Sequence, residues 1–498
     1  MITVENTTPG VVALVNTGAV ARPISRQPSS TAFLGGYTPF GPVGTPVVVT
    51  SFLEFTKKFG SFNANSHLAD AVYVFFNMFG GAQAVISRVV GDDAAVATLN
   101  LDDNAGSPVD TVQVDSKYPT ELGITVKVET GTTSGKKLTF RCATLGIEEV
   151  FDNFTLDDIA DVNLQSELVT LTDLESATVA PNNLPKNIAA TALTGGDDDF
   201  VGITATDYVN SLTAFDDTNL GGGQVAIPGQ TASSVLVALK SHAEAYQRLA
   251  IMDAAFGNDV SEMLAVDTTT YRSNAAALYY PWLKGPKLDG TSGDKWFPPS
   301  IAALGACAHV DRNEGTQKAP ANIAVPFAYD VERNTDGSKM LTDTARGSLA
   351  AKQINVIAPI TNEGLKIYDA QLLFPVGETR LRFIHERRVV NLVYHSARLG
   401  FNWAVFQTVD PQGRLFRDLV SAGQNFCRSL YRAGALYGAT EEEAFVVTAD
   451  ASNNLEADLA LGRVHVAIGI KISPTAQQVI VNIDNVPLGQ ALSVLGGN

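Results

Sequence analysis

The spacing of apolar positions changes character along this chain. Between residues 31 and 91, short continuous apolar runs alternate with helical patterns. Ala32-Phe33-Leu34-Gly35-Gly36-Tyr37 is a buried strand candidate, and Val47-Val48-Val49 follows a loop rich in glycine and proline. Ser51 with Glu54 three places on forms a capping box, so a short helix is expected from there to about Gly60. A second helix is expected over about 66–79. Its apolar residues Leu68, Val72, Phe75, Phe76 and Phe79 point almost all round, which marks it as buried. Gly80-Gly81 stops it before the strand Ala84-Val85-Ile86.

From about 92 to 198 the period becomes two. Segments such as Thr111-Val112-Gln113-Val114, Ile124-Thr125-Val126-Lys127-Val128 and Leu138-Thr139-Phe140 are separated by Gly, Asp and Asn, which suits a β-rich insertion. Helix and strand patterns resume at residue 200. A strand at Val225-Ala226-Ile227-Pro228, a helix over about 232–247 and a strand Leu249-Ala250-Ile251-Met252-Asp253 predict a parallel crossover. Further on come a helix after His385, a strand around Trp403-Ala404-Val405-Phe406 and a long helix from Pro411 to about Leu436. Strands are expected near 444–449, including Phe445 and Val447, and near 463–472. The last alternates strictly, with Val464, Val466, Ile468, Ile470 and Ile472 on the one face that meets a core.

Short β-prone runs also stand near both ends: Val11-Val12-Ala13-Leu14-Val15, bracketed by turn residues, and Val479-Ile480-Val481-Asn482-Ile483 after Pro474. An isolated strand this short is not stable alone and needs a sheet to join.

With 498 residues, 45% hydrophobic and 17% charged, the chain is expected to form several domains with real cores. A formal charge of −17 argues against wholesale binding to nucleic acid or to an anionic membrane. That charge is concentrated: residues 91–200 hold 20 Asp and Glu against 6 Lys and Arg, as expected of a solvated outer lobe. No run approaches the length of a spanning helix, and the N-terminus lacks a basic segment followed by an apolar one, so neither membrane insertion nor export is expected.

Catalytic patterns are scarce. Gly131-Thr132-Thr133-Ser134-Gly135-Lys136-Lys137 looks like a phosphate loop until its spacing is counted. A phosphate loop needs four residues between the glycines and Ser or Thr after the lysine, whereas here there are three and then Lys137. A hairpin turn between flanking strands is the better reading. Cys142, Cys307 and Cys427 have no zinc or redox spacing, and the six histidines do not cluster at metal-ligand spacing. No catalytic residue, cofactor or metal site is assigned, and the chain is not expected to be an enzyme. One charged pattern stands out on the long helix. Arg414, Arg417, Arg428 and Arg432 share a stripe opposite an apolar face, which suits a charged contact surface.

With these segments read, the chain resembles the contractile tail sheath proteins of myophages, R-type tailocins and related injection systems. The resemblance is carried by strings in order: Ala277-Leu278-Tyr279-Tyr280-Pro281-Trp282-Leu283, Pro298-Pro299-Ser300, Lys318-Ala319-Pro320-Ala321-Asn322, and Arg387-Arg388-Val389-Val390-Asn391. Trp403-Ala404-Val405-Phe406 and the run from Phe426 to Ala439 follow, while Pro9-Gly10-Val11 and the segment from Leu34 to Val90 add to it. It covers most of the chain outside about 92–198.

The resemblance implies a multidomain α/β (α+β) fold. Its parts are an N-terminal arm at 1–20, a discontinuous middle domain at 21–91 and 200–373, and the β-rich acidic surface insertion at 92–199. A C-terminal inner domain at 374–475 and a C-terminal arm at 476–498 complete it. It further implies a subunit of a helical homopolymer of stacked hexameric rings around an inner tail tube protein, with baseplate and tail terminator proteins as further partners. The arms, through Val11 to Val15 and through Val479, Ile480, Val481 and Ile483, would add strands to neighbours. The expected host sheet contains Phe445, Val447, Val464, Val466, Ile468 and Ile470, and Arg414, Arg417, Arg428 and Arg432 would face the tube. The place of work is then a virion tail or phage-tail-like particle assembled in the cytoplasm of a bacterial host. Two rivals are a baseplate or receptor-binding component of such a particle and an α/β enzyme with a scattered site.

Overall fold

The computed structural model describes residues 23–332 and 341–477. Its centre is a nine-stranded sheet in the spatial order Ile323–Ala324, Gly364–Ile367, Ile354–Ile360, Ala276–Tyr280, Leu249–Asp253, Gln224–Ala226, Ala32–Tyr37, Ala84–Val89, Val47–Val49. The six strands from Ile354–Ile360 to Ala84–Val89 run parallel, and antiparallel strands close both edges. Parallel sheets are covered on both faces, which explains the continuous apolar runs. Ala32, Leu34, Ile251 and Tyr279 enter one buried cluster, while Phe33, Ala250, Met252, Leu278 and Tyr280 enter the other. The expected crossover is present, with Gln224 and Val225 in parallel register with Leu249 and Ala250.

Local rules account for the helices. Phe52–Phe59 starts where the Ser51 hydroxyl accepts the Glu54 N–H and ends at Gly60. The Glu54 carboxylate reaches back to the N–H of Thr50, one residue earlier than a standard capping box. The second helix is α-helical over Leu68–Tyr73 and turns π over Val74–Met78. Its neighbour Pro299–Asn313 approaches so closely that a Cβ at Gly305 would lie 2.2 Å from the Phe79 ring. Asp253, wholly buried at the end of its strand, accepts from Gly229 N (2.9 Å), Ser300 N (2.6 Å) and Ser300 Oγ (2.7 Å). It thereby pins the start of that helix to the sheet. Burial raises its carboxyl to about 6 despite these donors.

The insertion is β-rich. A four-stranded sheet, Ile188–Ala192, Ile124–Thr130, Lys136–Cys142 and Ile147–Phe154, stands beside a three-stranded one, Thr98–Asp102, Asp110–Ser116 and Val169–Asp173. Their inner faces share a core of their own around Val112, Val126, Leu138 and Phe140. The phosphate-loop look-alike is the hairpin turn between Ile124–Thr130 and Lys136–Cys142, closed by Gly131 N to Gly135 O at 3.1 Å. The insertion leaves and re-enters the body side by side, with Gly91 N 3.3 Å from Asp198 O.

The expected strand at Trp403-Ala404-Val405-Phe406 is not formed. Asn402–Ala404 is a 3-10 turn, and the bonds Ala404 N to Phe401 O and Gln407 N to Ala404 O use backbone groups a ladder would need. The long helix is Arg414–Arg432, shorter than the expected Pro411 to Leu436. The Asp410 side chain holds a turn before it, and Gly434, at φ 75°, follows it.

Candidate functional site: an open hairpin and a basic helix

The C-terminal region is built on two helices and a hairpin. Helix Ile384–Gly400 is two-faced. His385, Arg388, Asn391, His395 and Ser396 are buried. Arg388 Nη2 pairs with Asp311 at 2.7 Å, His395 Nε2 hydrogen-bonds Gln247 O at 3.1 Å, and Ser396 Oγ accepts from Gln27 N at 3.1 Å. These polar contacts seat the helix on the body. A second, apolar face at Val390, Val393, Tyr394 and Ala397 is spaced by three and four residues and turns toward the hairpin.

The hairpin pairs Phe445–Thr448 with Ala467–Ile470 antiparallel, Phe445 opposite Ile470 and Val447 opposite Ile468. Helix Arg414–Arg432 lies on it through Ala422, Phe426, Cys427 and Leu430. Gly423 permits this approach, since a Cβ there would stand 2.9 Å from Val447 Cγ1. Burial pushes the Cys427 thiol up to about 11, so it packs as a neutral apolar group.

The alternation expected over 463–472 is present in exposure but only partly in pairing. Val464, Val466, Ile468 and Ile470 are half-buried and their neighbours exposed. Val464 and Val466 precede the ladder. There the Asn454 side chain substitutes for a partner strand, accepting from His465 N at 2.6 Å and donating to His465 O at 3.0 Å. Phe445 and Val447 are buried. Among the described residues this sheet has two strands, and two-stranded hairpins are marginal without further cover. An open apolar groove of about 610 Å³ runs beside it, lined by Val390, Val393, Ala397, Val466, Ile468 and Ile470 among others.

On helix Arg414–Arg432, Arg414, Arg417 and Arg432 are exposed. Arg428 differs, because its Nε donates to both carboxylate oxygens of Glu441 at 3.0 and 2.8 Å. An acid from beyond the helix therefore neutralises one member of the stripe. The arm residues Val11, Val12, Ala13, Leu14, Val15, Val479, Ile480, Val481 and Ile483 lie outside the described residues. The groove-lining face of Ile384–Gly400 was not singled out from sequence. Its signal was present in the spacing of Val390, Val393, Tyr394 and Ala397.

No protein-family model matches the chain. It is 24% identical to the tail sheath protein of Burkholderia phage BcepMu, with 96% of each chain covered. In structure it is similar to a chain of the anti-feeding prophage baseplate (TM-score 0.57, 16% identity, 97% of this chain and 99% of that one). It is likewise similar to a chain of the contracted sheath complex of an extracellular contractile injection system (TM-score 0.56, 15% identity, 97% and 98%). The sheath tail protein of Listeria innocua gives a TM-score of 0.64 at 13% identity, over 90% and 92%. The fold is that of the contractile tail sheath proteins. In fold, the resemblance seen in the ordered strings extends through the insertion as well, because the coverage leaves no segment of that length unmatched.

Proposed function

We propose that the chain is a structural subunit of a contractile sheath. It polymerises helically, as stacked rings of six, around an inner tube, and contraction drives that tube through a target envelope. The observation that carries this reading is the likeness to sheath proteins over almost the whole of both chains, joined to a hairpin that presents half-buried apolar residues beside an open groove. The hairpin is the host sheet, and the arms of neighbouring copies complete it by strand addition. A donated strand with about six ladder bonds contributes about 6 kcal/mol at about 1 kcal/mol each. Repeated over a polymer, this holds subunits together while their bodies move as rigid units.

The exposed Arg414, Arg417 and Arg432 face the inner tube, and the baseplate and tail terminator bound the polymer at its ends. The role is architectural, with no chemistry asked of any side chain. The particle is a phage tail or a phage-tail-like device assembled in a bacterial host. Among the described residues no helix is long and apolar enough to cross a membrane.

Electron microscopy of the chain expressed alone tests the proposal. The full chain is expected to form tubes, and chains lacking residues 1–18 or 476–498 are expected to remain soluble without forming them. Normal tubes from either truncated chain overturn the arm assignment. A saturable small-molecule site with no polymer favours the enzyme rival. Six to eighteen copies per particle, instead of hundreds, favours a baseplate role.

A further inference from the structure

The joint between helix Ile384–Gly400 and the body carries an uneven share of unmet hydrogen bonding. Among the described residues, eleven buried side-chain atoms have no hydrogen-bond partner. Five of these belong to the helix: His385 Nδ1, Arg387 Nε, Arg388 Nε and Nη1, and Asn391 Oδ1. Two more, Gln224 Oε1 and Asp311 Oδ1, belong to body residues that meet it, so most of the shortfall is local to this joint. Buried polar groups are normally paired, and a cluster of exceptions asks for a partner the chain itself does not supply.

Three of these residues line one small cavity. It has a volume of about 10 Å³ and lies among Gln224, Arg388 and Asn391, which are 1%, 1% and 4% exposed, with Pro28, Ser29 and the Gly222-Gly223 turn as further walls. Their other bonds fix what each has left to offer. Gln224 Nε2 donates to Ser29 O at 2.8 Å, which leaves Oε1 as the unused end of the amide. Arg388 spends Nη2 on Asp311 Oδ2 at 2.7 Å and Cys307 O at 3.2 Å, which leaves Nε and Nη1 as unused donors. Asn391 keeps Oδ1 as an unused acceptor.

An occupant must therefore accept from a guanidinium and donate to two amide oxygens. An anion only accepts, and it would meet both oxygens. Asp311, whose Oδ2 also accepts from Ser29 Oγ at 2.6 Å, already balances the Arg388 charge. A cation would face the guanidinium. Water both accepts and donates, and about 10 Å³ is close to the least space that holds one water and too little for an organic ligand.

We propose that a single water is bound in this cavity as a fixed part of the joint, accepting from Arg388 and donating to Gln224 Oε1 and Asn391 Oδ1. Three bonds are the usual number for a buried water. Arg388 and Asn391 come from the helix and Gln224 from the central strand Gln224–Ala226, so the water ties the C-terminal region to the main sheet beside the direct Arg388 to Asp311 pair. The site is a property of one subunit and does not depend on the polymer proposed above.

A density map of the full chain that resolves ordered water tests it. One peak is expected within hydrogen-bonding distance of Arg388 Nε or Nη1 and of both amide oxygens, and it is expected to vanish in Gln224→Leu with Asn391→Leu. A cavity without density, in a map that shows other internal waters, overturns the site. A peak that persists in the double variant overturns the assigned acceptors. Should that variant fail to fold, the map of the natural chain decides alone. Thermal melting in sodium chloride against sodium gluconate at equal ionic strength needs no variant, and no stabilisation by chloride is expected. A midpoint that is higher in chloride and saturates with its concentration overturns the water in favour of a bound anion.

Discussion

The insertion and the C-terminal region are both built from short alternating strands, yet they end differently. In the insertion, Val112, Val126, Leu138 and Phe140 are wholly buried between two sheets of the same chain. In the C-terminal hairpin, Val466, Ile468 and Ile470 reach only half-burial, Val446 is exposed, and a groove stands open alongside. The first has finished its core and shows the solvent an acidic surface. The second keeps apolar area unspent. Identical periodicity therefore describes a closed module in one place and an apolar face left partly uncovered in the other, and the number of layers available to cover the sheet decides between them.

The largest test of this contrast is Ile468→Asp with Ile470→Asp. Charges on the half-buried face are expected to abolish tube formation while the monomer keeps its helical circular dichroism signal. Tubes of normal length under electron microscopy would remove the hairpin from the interface. Phe140→Ala is the converse. Emptying a fully buried aromatic site costs about 3–5 kcal/mol, which should loosen the insertion in hydrogen exchange and leave tubes intact. Failure to assemble would tie the insertion to the polymer.

The smallest effect is the response to mild acid. Burial lowers His67 to about 4 and His242 to about 3, and it also lowers His385 and His395. Their folded values lie below the ordinary one, so their contribution is complete above pH 6.5 and is lost as pH falls toward those lowered values. For His67 this amounts to about 2 kcal/mol at pH 5. Asp253 has the opposite sign. Its raised value adds stability that is fully present below pH 3.8 and is lost as pH rises through about 6, so it offsets part of the histidine loss. No histidine lies in 92–199. Hydrogen exchange corrected for intrinsic rates should therefore weaken in the body and helix Ile384–Gly400 between pH 7 and 5, and stay constant in the insertion. His67→Gln should flatten the body's profile.

Much of the fold was legible because it follows from short-range rules. Ser51 and Glu54 announced a helix start that the Ser51 cap confirms, and the two glycines of Gly131–Gly135 announced a hairpin turn. The run Leu249–Asp253 was read to the residue, because four successive apolar residues stand between the charged Arg248 and Asp253. Trp403 to Phe406 was misread for the opposite reason. Three bulky residues in four favour a strand, but bonds to Phe401 and Ala404 had already claimed their backbone groups. Arg428 looked like its three stripe-mates until Glu441, thirteen residues away, folded back onto it.

By itself, then, the amino-acid order determined the periods, the caps, the acidic lobe and the strings that resemble sheath proteins. These depend on residues a few positions apart or on composition. Tertiary structure alone decided which apolar faces became fully covered and which arginine was neutralised. Burial and pairing depend on the approach of distant segments, and spacing along the chain carries no measure of that distance.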